Sequence, residues 1–152
     1  MLTRTREFGC NPPMHGRSST PNSPAARTPG AKRAGPGEHV FDLASVNRIK
    51  GGPDYSSVEG GVVEGDRMIV GLMRMPAGTG AEAHSHPNEQ WIYVLEGTFE
   101  GVIEGKPFTA RPGSVVYVPA NALHSGRATK DGDVVFFTCK DASHSLHGIK
   151  AA

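Results

Sequence analysis

No stretch of this chain approaches the roughly 18 consecutive apolar residues that mark a membrane-spanning helix, and its first residues lack the apolar core of a secretory signal. A cytoplasmic protein with no membrane partner is the expectation. Cysteine is scarce: Cys10 and Cys139 are the only two. They lie in segments of different character, and a pair so placed makes no disulfide framework. Extended helical periodicity is missing as well, since no long segment repeats its apolar residues every three to four positions. Positive charge does not accumulate on the body of the chain. Residues 1–37 carry six basic residues against Glu7 alone, while the remainder carries ten basic and fourteen acidic residues. That mildly acidic remainder offers no electrostatic footprint for nucleic acid. A P-loop, a dinucleotide-binding glycine pattern and a Ser-His-Asp order are all missing, which removes nucleotide chemistry from the readings.

What is present divides the chain in two. Residues 1–37 hold six of the twelve prolines and almost no clustered aliphatic side chains. Such a segment buries too little apolar area to offset the entropy of ordering it, so 1–37 is expected to be disordered. Its basic, acid-poor composition reads as a transit peptide, a phosphate-seeking tail, or sequence upstream of the true start. Residues 38–152 are expected to form one domain, because 152 residues are too few for two comfortable cores.

From about His39 short apolar runs alternate with glycine-containing turns: Met68 to Met75, Trp91 to Leu95, Phe99 to Ile103, Pro107 to Ala110, Ser114 to Val118 and Val134 to Thr138. This spacing predicts an all-β sandwich or barrel. In the run from Gln90 to Leu95 both the even and the odd positions are largely apolar, so both faces of that strand need cover. The inner face fills the lumen. The outer face, with Trp91, Tyr93 and Leu95, is expected to meet a second copy in a homodimer.

Two segments carry chemistry. The first runs from Gly78 through His84, His86 and Gln90 to Glu96-Gly97. Two histidines two apart on an extended chain point the same way, so both imidazoles reach one ion, and Gln90 shares their parity. Glu89 is the nearest carboxylate, but alternation turns it away. The second segment runs from Gly113 through Pro119 and Asn121 to His124, with His124 expected in a polar turn after the strand. The first resembles the first motif of the cupins: glycine, five residues, His-x-His, three or four residues, an acid, six residues, glycine. The second resembles their second motif, in which Gly113, Pro119 and His124 match. The fifteen residues between Gly97 and Gly113 suit a compact cupin, and the resemblance covers roughly residues 60–140.

That resemblance implies a small cupin-type jelly-roll barrel, a double-stranded β-helix. It also implies one divalent transition metal, Mn, Fe, Ni, Co or Zn, on His84, His86, Gln90 and His124. Three positions depart from the pattern: Gln90 replaces the usual glutamate, Asn121 a glycine and Ala128 an asparagine. Asparagine tolerates a left-handed backbone, so Asn121 is expected to keep the turn. Gln90 leaves the full charge on the ion, a stronger Lewis acid toward the oxygens of an anionic small-molecule substrate. Cupins with glutamine here include enzymes acting on unsaturated sugar acids and others with lyase activities. An isomerase- or lyase-type enzyme is the leading expectation; an Fe(II) dioxygenase and a non-catalytic metabolite- or sugar-binding cupin are the alternatives. Arg74, Arg111 and Arg127 are candidate clamps for a substrate carboxylate, and Tyr117 and Glu82 candidate acids or bases. His144 and His147 read as solvated residues near the end of the chain, and the methionine run as core.

Overall fold

A computed structural model describes residues 26–152. Cys10 and most of the 1–37 segment lie outside the described residues. The strands in chain order are β1 (Lys32–Arg33), β2 (Ile49–Lys50), β3 (Glu59–Glu64), β4 (Met68–Met75), β5 (Gly80–Ser85) and β6 (Gln90–Glu96). They continue with β7 (Phe99–Ile103), β8 (Lys106–Ala110), β9 (Val115–Val118), β10 (His124–Ala128), β11 (Val134–Asp141) and β12 (Ile149–Lys150). Among the described residues there is no helix. The strands form two sheets, one in the order β1-β3-β4-β11-β6-β9 with β2 beside β3, the other in the order β12-β5-β10-β7-β8. Strands distant in sequence become neighbours, as when β11 lies between β4 and β6. This interleaving of two largely antiparallel sheets is the all-β architecture expected from the strand spacing and the jelly-roll arrangement that the cupin resemblance implies.

Alternation decides which side chains enter the space between the sheets. On β6, Gln90, Ile92 and Val94 are buried, while Trp91, Tyr93 and Leu95 are exposed on the other face. On β11, Val134, Phe136, Thr138 and Lys140 point inward. The apolar members of these rows join Met73, Met75, Phe99 and Val116 in one core. Met73 and Met75 are thus core residues, and they also line the central cavity.

The tight turns obey the steric reading of the sequence. Asn121 has φ of 63° and Gly97 of 78°, the left-handed region that asparagine tolerates and glycine enters freely. A Cβ on Gly97 would meet the Asp133 carbonyl oxygen at 2.1 Å, so that position excludes other residues twice over.

Residues 26–37 are the described part of the 1–37 segment. β1 pairs in parallel with β3. Thr28 and Glu64 are fully buried, and the Glu64 carboxylate accepts the backbone N–H groups of Arg27 at 2.6 Å and Thr28 at 2.8 Å. Composition counts apolar area, and this contact is built from hydrogen bonds to a buried carboxylate instead.

Candidate metal centre

His84 lies near the end of β5 and His124 opens β10, and the two strands pair with these residues opposite each other. His124 is thus a strand residue, not the turn residue expected. The turn occupies the residues just before it, where Asn121 donates its N–H to the His86 carbonyl at 2.8 Å. His86 sits at the corner leaving β5, and Gln90 begins β6 in the other sheet. The four residues converge from both sheets, and all four are buried. The histidine ligand atoms lie within 4.8 Å of one another. Two nitrogens each about 2.1 Å from one ion are at most about 4.2 Å apart, so small side-chain shifts bring all three onto one ion.

Hydrogen bonding fixes how each ring presents itself. The Nδ1 atoms of His84, His86 and His124 lie 2.7, 2.7 and 2.9 Å from the carbonyl oxygens of Glu82, Asn88 and Ala122. Each Nδ1 therefore carries the hydrogen and donates it to a carbonyl, which leaves each Nε2 with a free lone pair. Burial pushes His84 down to about 4 and His86 down to about 3, and it lowers His124 as well. All three imidazoles are neutral at pH 7, the form that ligates a metal.

Gln90 is oriented by a residue that the sequence reading passed over. Thr138, on the inward face of β11, accepts the Gln90 Nε2 hydrogen at 2.8 Å and donates its own to the Trp91 carbonyl at 3.0 Å. The amide oxygen is thereby turned toward His86, with Oε1 at 3.1 Å from Nε2. Two acceptors face each other at hydrogen-bond distance with no hydrogen between them. Inverting the amide supplies a hydrogen to His86 but places Oε1 against a Thr138 oxygen whose hydrogen is committed to Trp91. A cation between His86 and Gln90 satisfies every partner at once. Three neutral imidazoles and an amide oxygen fit a divalent transition ion.

Other groups missed by the sequence reading surround the centre. Tyr55 stacks on the His84 ring with centroids 4.4 Å apart, and its hydroxyl accepts the Gly148 N–H at 2.7 Å. Asn88 is fully buried and donates to the Asp141 and Ser145 carbonyls, pinning the corner that carries His86. Lys140 is 4 % exposed and lines the cavity beside Gln90 and Thr138, and burial holds its ammonium down to about 7. Nothing in the run Lys140-Asp141 marks the lysine as internal until β11 is placed between β4 and β6.

Several proposed groups lie elsewhere. Arg74 pairs with Asp133 on the surface, Arg127 lies 3.9 Å from Glu100, and Arg111 is exposed, so none lines the cavity. Tyr117 donates to Glu89 at 2.9 Å on the outer face, and Glu82 pairs with Lys150. Glu89 points away from the centre, as alternation requires. His144 is exposed and His147 Nε2 meets the Lys50 carbonyl at 2.8 Å, so neither joins the histidine cluster. Their segment nonetheless packs against the barrel: Leu146 enters the core, and β12 pairs with β5 beside His84. Cys139 carries a free thiol.

A family profile described as cupin domain matches residues 71–139, which include all four converging residues. Over 74 residues, 49% of this chain and 36% of the relative, the chain is 27% identical to a 5-nitrosalicylic acid 1,2-dioxygenase of a Bradyrhizobium species. Over 70 residues, 45% of this chain and 35% of the relative, it is 34% identical to the dimethylsulfoniopropionate lyase DddQ of Ruegeria pomeroyi. The matches thus span about a third of each curated relative. Among solved structures, a cupin-like protein from Thermotoga maritima superposes with a TM-score of 0.57 at 24% identity, over 69% of this chain and 82% of that one. Profile, sheet order and structural likeness agree that residues 71–139 carry a cupin domain within a cupin-type fold.

Proposed function

We propose that this chain is a metal-dependent enzyme that acts on a small, oxygenated, anionic metabolite by Lewis-acid chemistry of the isomerase or lyase type. The observation that carries the reading is the pair of facing acceptors, His86 Nε2 and Gln90 Oε1, inside a ring of imidazoles whose other nitrogens are already committed. His84, His86, His124 and Gln90 would hold one divalent transition ion, which supplies a Lewis acid for a substrate oxygen. The chain's own residues do the rest. Carbonyl acceptors keep the imidazoles in the ligating tautomer, and Thr138 keeps the Gln90 oxygen forward. Ile92, Phe99, Val116 and Phe136 form apolar walls that limit water around the reacting centre. All four donors are neutral, so an ion held there would keep its charge for an anionic ligand.

The similarity to the lyase DddQ supports the elimination branch. The similarity to the 5-nitrosalicylic acid 1,2-dioxygenase supports a second reading in which the same centre holds iron and serves oxygen chemistry. Metal analysis separates the two. The full chain is purified without chelators or added metal, and bound transition metals are measured by plasma mass spectrometry beside His86→Ala and Gln90→Ala. Near-stoichiometric metal lost in the histidine variant supports the centre; iron selects the oxygenase reading, and zinc, nickel, cobalt or manganese the Lewis-acid reading. No metal even after reconstitution refutes both.

A homodimer through the outer face of the larger sheet belongs to the same proposal. Trp91 lies opposite Tyr117, and Tyr93 lies between Val115 and Phe137, so these exposed side chains form one apolar patch. A contiguous patch of this kind marks an interaction surface.

A further inference from the structure

We infer that Lys140 is the anion-recognition residue of the cavity, and that it selects small substrates in which a carboxylate is carried next to a second oxygen. The inference deepens the proposed metal-enzyme reading and rests on it for the second oxygen's partner.

Lys140 is the fourth inward residue of β11, after Val134, Phe136 and Thr138. Its Nζ donates to the Leu146 carbonyl at 2.6 Å, which uses one of its three hydrogens. Among the described residues it forms no ion pair. A buried ammonium with one neutral acceptor is poorly compensated, and such groups are almost always paired when they serve stability alone. The cavity lining contains no aspartate, glutamate or arginine; the negative charge that acts on Lys140 is Asp141, the next residue on β11, which is outside the lining and forms no ion pair with it. With a divalent ion on four neutral ligands and Lys140 protonated, this cavity would carry positive charge at two places, while its lining carries no carboxylate. An anionic ligand completes it.

Size narrows the class. The cavity measures about 70 Å³, under half of the roughly 150 Å³ in which an engineered protein cavity accepts benzene. That space suits a carboxylate with one or two further heavy atoms inside the barrel. The carboxylate takes the free hydrogens of Lys140, which leaves an adjacent hydroxyl or carbonyl oxygen for the centre where His84, His86, Gln90 and His124 would hold the ion. The three arginines that the sequence offered for this task are all outside the cavity.

Lys140 also ties down Leu146, so the test separates charge from tethering. Glycolate and its neutral analogue glycolamide are titrated calorimetrically into metal-loaded and chelator-treated full-length protein. Wild type is compared with Lys140→Gln, which keeps a donor for the Leu146 carbonyl, and with Lys140→Met, which does not. Metal content and thermal melting are recorded for each. The expected result is a loss of glycolate affinity of about 10- to 100-fold in Lys140→Gln, the weight of one charge-assisted hydrogen bond. Glycolamide affinity, metal content and melting temperature should stay near wild type in that variant. Glycolate affinity within twofold of wild type in a folded Lys140→Gln overturns the inference and leaves Lys140 a tether. Absent metal in wild type refutes the metal reading separately, because the lysine-dependent glycolate difference is still measured in the chelator-treated protein. A glycolate loss matched by an equal glycolamide loss also overturns it, since that pattern reports a deformed cavity and not a missing charge.

Discussion

Thr138→Val removes one oxygen, leaves the shape of the side chain nearly unchanged, and is expected to weaken metal binding without touching a ligand. Thr138 is 1 % exposed, and its hydroxyl is the partner that holds the Gln90 amide with the oxygen forward. In the valine variant Gln90 Nε2 is buried with no acceptor, a cost of about 1–3 kcal/mol. The amide relieves it by rotating, and rotation withdraws Oε1 from the centre. Loss of a group that orients a ligand costs about 10- to 100-fold in metal affinity, and each tenfold is about 1.4 kcal/mol. The two estimates meet at about 1.4–2.8 kcal/mol. The assay is competition for zinc or nickel against a chromophoric chelator, with Thr138→Ser as the control that keeps the hydroxyl and sheds only a methyl. Expected are a 10- to 100-fold weaker dissociation constant for valine and a change within about threefold for serine. If valine binds as tightly as wild type while Gln90→Ala binds weakly, Thr138 does not orient the amide and the reasoning fails.

Burial holds folded His84 and His86 at about 4 and about 3, below the ~6.5 of an unfolded histidine. The chelator-treated protein should therefore be most stable above about pH 6.5 and lose stability as pH falls toward 4, since the unfolded chain takes up protons that the folded one refuses. At pH 5 the loss is at most about 2 kcal/mol per histidine; urea midpoints that do not differ between pH 7.5 and pH 5 would sink this account. Gln90→Glu places a carboxylate on the centre, so metal affinity should rise about tenfold while glycolate affinity falls, a pattern readable by the same titrations. Trp91→Glu with Tyr93→Glu should convert a dimer to a monomer in light scattering; an unchanged mass, dimeric or monomeric, removes that face from the interface.

Much of this protein was legible in its residue order because the relevant physics is local. Alternation along Gln90 to Leu95 needs only the two-residue period of an extended chain, and β6 shows it without exception at its first five positions. The left-handed turn at Asn121 follows from the same local sterics. His84 and His86 share a direction because they stand two apart, and the motif spacing brought Gln90 and His124 to them. The contact at Thr28 was not legible, because composition measures apolar area and is blind to a buried carboxylate 36 residues away collecting backbone hydrogens.

The sequence by itself determined the strand pattern, the turn chemistry and the identity of the four converging residues. Only the tertiary structure decided which strands adjoin, and with that which side chains complete the centre. Thr138 reaches Gln90 across 48 residues of chain, Tyr55 stacks on His84, and Lys140 is internal while three arginines are not. Each of these contacts depends on sheet order. Strand periodicity tells every residue which of two faces it occupies, but the neighbour it meets there is chosen by how the two sheets interleave.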